Sequence, residues 1–174
     1  MRVVITGLLM LFGAVLAPQA VAIERNTAVE VQQIGDLRDE ARLSSDKKLP
    51  ILVMFGAEHC SYCVRLEEDF LKPMIISGDY TDKVLIRRID LDSSQSVRDF
   101  DGKQVTPAEL ASRYHVSLTP TVVFLDQHGN QLAQKMVGLT TPDYYGGYLD
   151  AAIDSALDLL RRNTPLRVKL SALE

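Results

Sequence analysis

The sequence predicts an α/β domain built on one mixed sheet of four to five strands, with helices on both faces. Three observations carry that prediction. LPILVMFG, Leu49–Gly56, is a continuous apolar run with β-branched residues, closed by glycine. Such a run fits a strand buried on both faces of a parallel sheet. Helix-like and strand-like patterns then alternate. Finally, TPTVVFLDQHGNQLAQKMVG reads as two strands around a turn carrying Asp126, Gly129 and Asn130, an antiparallel hairpin. Parallel βαβ pairing followed by a hairpin gives a mixed sheet.

The elements follow in order. Residues 1–22 read as a cleaved signal peptide. Arg2 is the only charge before Glu24, Val3–Ala17 is largely apolar, and Ala20-Val21-Ala22 fits a small-x-small cleavage site. An uncleaved anchor is the alternative, but about 15 apolar residues fall short of the roughly 20 that span a bilayer. No cysteine lies near the cut to take a lipid. Removing 22 of 174 residues leaves 152, enough for one domain with a sizeable core. The domain is expected over 23–162. Without Arg2, eighteen basic residues face twenty-three acidic ones, a net charge of −5. No basic cluster exceeds two adjacent residues, so nothing points to nucleic acid or to an anionic membrane surface.

After a polar lead-in at 23–30, Val31, Ile34, Leu37, Ala41 and Leu43 follow helical spacing and predict a helix from Val31 to Leu43, ended by Ser44–Lys48. Beyond the strand at Leu49–Gly56, VRLEEDFLKPM places Val64, Leu66, Phe70 and Leu71 on a helix that Pro73 ends or kinks. Lys83–Asp92 is a second strand, and Ser93–Gln104 is polar. Thr106, Pro107 and Glu109 form the pattern of a capping box opening a short helix to Tyr114. Val122–Leu125 and Gln131–Val137 are the hairpin strands. Thr141 and Pro142 open the last helix, whose Tyr145, Leu149, Ala152, Ile153, Ala156 and Leu160 share one face. Gly146 and Gly147 each cost about 1 kcal/mol there. Residues 163–174, broken by Pro165, are expected to be a flexible tail.

The only two cysteines, Cys60 and Cys63, lie where the buried strand gives way to a helix. A helix N-terminus stabilises a thiolate, the reactive form of cysteine, through free N–H groups and the helix dipole. Cys60 gains most. Cys63, one turn further in, can reach it. Cys60 would attack a substrate disulfide, and Cys63 would then resolve the mixed disulfide. The pair has other possible uses. A disulfide closing so short a loop gains only roughly 2 kcal/mol in the chain-entropy model. A zinc site would have two thiolates with His59 as a third ligand, His115 and His128 in other segments and no second ligand pair. Haem attachment needs His after the second cysteine, where Val64 stands. Metal or copper handling and a non-catalytic pair stay open. Pro120, opening a strand after Thr119, is compatible with a cis bond.

ILVMFGAEHCSYC, then TPTVVFLDQHGN, then VG before a final helix, resemble the thioredoxin superfamily over Pro50–Leu160. DFDGKQVTPAELASRYHVSLTPTVVFLDQHG is similar to exported thioredoxin-like proteins of the SoxW-like group, found with sulfur-oxidation systems. The resemblance implies a thioredoxin fold, with Cys60 as nucleophile and Cys63 as resolving thiol. It also implies a cis Thr119–Pro120 bond against the dithiol, with the Thr119 backbone pairing with an extended substrate segment. There are departures. Thioredoxin carries a buried Asp six residues before the nucleophile, where this chain has Met54, and a Trp just before the nucleophile, where it has His59. Glu58, His59 or water must then serve any proton relay. Tyr62 before the second cysteine is closer to glutaredoxin-like and disulfide-isomerase-like sites, so Glu58, His59 and Tyr62 are expected to tune the site.

The function expected is a periplasmic thiol-disulfide oxidoreductase, a protein-disulfide reductase that needs no cofactor and no metal. Its partners would be disulfide-containing protein substrates and a membrane thiol-electron donor, with no nucleic acid. Oxidases of this compartment usually carry a helical insertion, and 93–104 is too short for one. Dimeric isomerases add an N-terminal domain that 23–50 cannot supply, so a monomer is expected. A metal-delivery or adaptor module is the alternative from another class; copper delivery in this fold usually shows C-x-x-x-C, one residue longer than here.

Overall fold

The computed structural model describes residues 29–163. The leader expected at 1–22, and the tail beyond Asn163, lie outside the described residues. Five strands form the main sheet in the order β1-β3-β2-β6-β7. They are β1 (Gln32–Gln33), β2 (Ile51–Gly56), β3 (Leu85–Asp90), β6 (Thr121–Leu125) and β7 (Met136–Val137). β1, β3 and β2 run parallel, and β2, β6 and β7 pair antiparallel. A separate two-stranded hairpin joins β4 (Val97–Arg98) to β5 (Gln104–Val105).

The apolar run in β2 is continuous because both faces of the strand are covered. Leu52 and Met54 face one cluster, with Cys63, Leu66, Leu71 and Met74 of the helix after the cysteines and Tyr145, Leu149, Ile153 and Ala156 of the last helix. Ile51, Val53 and Phe55 face the other, with Leu37, Leu110, Ala111 and Tyr114. Helices α1 (Leu37–Lys47) and α4 (Pro107–Arg113) therefore cover one side, and α2 (Ser61–Leu66), α3 (Lys72–Ser77) and α5 (Pro142–Asn163) the other.

The helix expected over Val31–Leu43 is displaced toward the C-terminus. Val31 and Ile34 are buried in opposite core clusters at the sheet edge, and their three-residue spacing imitates a helix. Asp36 starts the helix: its carboxylate accepts the Arg38 N–H at 2.9 Å. At the other end, Ser44 is buried and its hydroxyl donates to the Leu49 carbonyl at 2.6 Å, so the polar run Ser44–Lys47 stays helical. Lys48, left-handed at φ 56°, closes it.

Pro73 neither ends nor breaks its helix. Between α2 and α3, Glu67–Leu71 form a π turn, with the Lys72 N–H bonded to the Glu67 carbonyl. Proline donates no N–H and its ring crowds the carbonyl four residues back, here Asp69. The wider turn accommodates both and leaves Glu67 facing inward. The capping box forms as the sequence suggests. Thr106 Oγ1 accepts the Glu109 N–H at 3.2 Å and Glu109 Oε2 accepts the Thr106 N–H at 2.6 Å. The second hairpin strand is shorter than Gln131–Val137. Gln131 makes one isolated bridge to Leu125, and Lys135 turns away to the Tyr114 and His115 carbonyls.

Candidate active site

Cys60 is the N-cap of α2, with extended backbone at φ −105° and ψ 98°. β2 ends at Gly56, and the short Ala57–His59 connection carries the chain from the end of this central strand to the helix start. The Cys60 carbonyl accepts the Cys63 and Val64 N–H groups at 3.0 and 3.1 Å, which opens the helix. The Cys60 Sγ also accepts the Cys63 N–H, at 3.1 Å. The Cys63 N–H, a first-turn donor shared between the Cys60 carbonyl and its sulfur, stabilises negative charge on that sulfur. Cys60 and Cys63 are joined as a disulfide, with Cα atoms 5.2 Å apart. Cys60 is partly exposed, whereas Cys63 is only 2% exposed. One sulfur near the surface and a second beneath it are thus set by their positions in one helical turn.

The Thr119–Pro120 bond is cis. Pro120 lies at the same sheet end as the dithiol, since Phe55 pairs with Thr121. The Pro120 carbonyl accepts the Gly138 N–H at 2.8 Å, tying this corner to β7. Neither backbone group of Thr119 makes a hydrogen bond among the described residues. Exposed Leu118 and Val137 flank it, and Tyr62 and Val64 stand exposed on the first turn of α2, Tyr62 at 58%. Glu58 and His59 are also exposed. The Glu58 backbone N–H is held by Asp92 Oδ2 at 2.8 Å, leaving its side chain on the rim.

The structure adds residues that sequence reasoning did not single out. Cys63, Glu58 and Asp92 line a cleft of about 470 Å³ together with Glu67, Arg88 and Asp90. Arg88 pairs with Met54 across the β2–β3 ladder. Its Nη1 donates to Glu67 Oε1 at 2.8 Å, and its Nη2 donates to Asp90 Oδ1. Burial pushes the Glu67 carboxyl above its usual value. Arg88 and Lys72 partly offset this, and Asp90 and Glu30 add to it. Gly56 makes room here: a Cβ on it would lie 3.5 Å from Asp90 Oδ1, 3.7 Å from Cys63 Sγ and 3.2 Å from Met54 Cε. Two faint signals for this cluster exist in the sequence. Glu67 follows Cys63 by one helical turn, and Arg88 and Asp90 alternate on one face of the strand LIRRID.

The arrangement can exchange disulfides: a surface sulfur that accepts a helix N-terminal N–H, a second sulfur bonded to it from beneath, and an open backbone edge at the same end of the sheet. Among the described residues no group of three His, Cys, Asp or Glu has metal-binding geometry. None of their helices is long and apolar enough to cross a membrane.

Comparison with known proteins agrees with this reading of the fold. The family described as thioredoxin-like domain matches residues 37–153. A wild-type poplar thioredoxin h is 19% identical, with a TM-score of 0.50, covering 70% of this chain and 95% of that one. A mutant poplar thioredoxin h is 21% identical, with a TM-score of 0.51, covering 74% and 83%. No curated protein matches the sequence.

Proposed function

The chain belongs to the thioredoxin-like domain family and carries the Cys60–Cys63 pair of a thiol-disulfide oxidoreductase; from that premise we propose that it works as an exported reductant of protein disulfides. The observation that carries the reading is the setting of Cys60 Sγ, which accepts a helix N-terminal N–H while Cys63 waits one turn beneath it. In the reduced protein the Cys60 thiolate attacks a substrate disulfide. Cys63 then displaces the substrate and closes the disulfide seen here. The unused backbone of Thr119, beside Leu118 and Val137, supports docking of an extended substrate segment by strand addition.

Reduction requires the oxidised protein to be recharged. With a cleaved leader at 1–22, the recharging electrons come from a membrane thiol donor, and the place of work is the periplasm. The likeness to the SoxW-like group supports a substrate in sulfur-carrier chemistry or in thiols kept free for cofactor attachment. The direction of electron flow is tested by the equilibrium potential against glutathione. A reductase falls near −270 mV, as thioredoxin does, and a potential near −120 mV would make the protein an oxidase. We expect the former, together with catalysed reduction of insulin that Cys60→Ser abolishes.

A further inference from the structure

Resolution asks Cys63 to become a thiolate although it is buried, and apolar burial raises a thiol's pKa. On its sheet side stands Met54, fully buried, whose thioether cannot take a proton. Cys63 also lines the cleft, whose wall carries charged groups. There Glu67 sits one helical turn beyond Cys63, its side chain 7% exposed, and Arg88 holds it on one nitrogen while holding Asp90 on another. Two carboxylates on one guanidinium carry a net charge of −1 when both are ionised. One added proton makes the group neutral, which burial favours.

We propose that Glu67, positioned by Arg88 opposite Asp90, is the proton carrier for Cys63. This rests on the dithiol reading given above and deepens it. In the resolving step the Cys63 S–H proton passes to the Glu67 carboxylate across the cleft. The electron pair left on Cys63 forms the Sγ–Sγ bond to Cys60. The bond between Cys60 and the substrate sulfur breaks, and its pair leaves with the substrate as thiolate. Over both steps the dithiol loses two electrons and the substrate disulfide gains them. The proton on Glu67 is released through the open cleft and neutralises the departing thiolate. Recharging runs the same transfer backward, Glu67 protonating Cys63 as the disulfide opens.

The groups facing Glu67 fit this use. Burial and Asp90 raise its proton affinity, Glu30 adds to it, and Arg88 and Lys72 keep it from rising without limit. Lys72 is itself shared between Glu30 at 3.2 Å and Glu68 at 2.7 Å, and Glu58 and Asp92 complete the acidic rim.

The test is single-turnover reaction of the reduced full chain with a disulfide-linked peptide. Formation of the Cys60 mixed disulfide is followed separately from peptide release. In wild type the release rate levels off as pH rises past the titration of Glu67. In Glu67→Gln the ratio of release to formation rates falls about 100-fold at pH 7, within the range for loss of a general base. Release then climbs about tenfold per pH unit without levelling. Asp90→Asn removes a negative neighbour and moves the levelling point to lower pH, an effect that loss of packing would not produce. A Glu67→Gln ratio within threefold of wild type with an unmoved profile overturns the proposal. If Glu67→Gln fails to fold, Asp90→Asn decides alone: an unmoved levelling point overturns the proposal, and a lowered one supports it. A wild-type chain that forms no mixed disulfide overturns the dithiol reading itself, and this proposal with it.

Discussion

Tyr145 shows how a single side chain sets both packing and a measurable titration. Its ring is buried against Phe70, with centroids 5.1 Å apart, in the core that seats α5 on the sheet. Its hydroxyl has no hydrogen-bond partner among the described residues, and burial pushes its pKa up to about 12. A buried donor left unmade costs about 1 kcal/mol or more. Tyr145→Phe should therefore hold the fold and raise its stability by about 1 kcal/mol in urea unfolding. A loss of stability would mean that the hydroxyl has a partner. The same scale explains what the motif made legible. Cys60 and Cys63 could be read because adjacent residues define their role. Glu67, Arg88 and Asp90 could not, because a helical turn and a strand bring them together only after folding.

At the scale of elements, the β4–β5 hairpin is clipped to α4 by Asp99. This buried carboxylate accepts two bonds from Arg113 and one from the Phe100 N–H. The Arg113 hydrogen bonds, chiefly, hold its pKa below the ordinary value of 3.8. A carboxyl whose folded pKa is depressed stabilises the fold above its unfolded value and loses that contribution as pH falls through the folded one. Asp99→Asn should thus cost about 2 kcal/mol at pH 7, the worth of charged hydrogen bonds. The gap to wild type should narrow below about pH 4, read by urea unfolding at pH 7 and pH 3. A gap that persists unchanged at pH 3 would place the effect in packing. Strands such as these explain the limits of sequence reading. β2 was legible because both its faces are apolar. β4 and β5 are two-residue strands in a polar stretch, and their pairing leaves no periodic trace. The first helix was misplaced because Val31 and Ile34 serve opposite core faces at helical spacing.

For the molecule as a whole, two helix layers leave the end of β2 open. Cys60, the cis Thr119–Pro120 corner and the apolar residues Tyr62, Leu118 and Val137 share that end. The fold therefore presents one sulfur and one free backbone edge at the surface and keeps the second sulfur beneath. Order of attack is the central claim, and trapping measures it most directly. Reduced Cys63→Ser and Cys60→Ser chains are mixed with a disulfide-bearing protein, quenched with an alkylating agent and weighed by mass spectrometry. A stable covalent adduct through Cys60 is expected in Cys63→Ser and none in Cys60→Ser. Equal adducts in the two variants, or adduct only through Cys63, would contradict it.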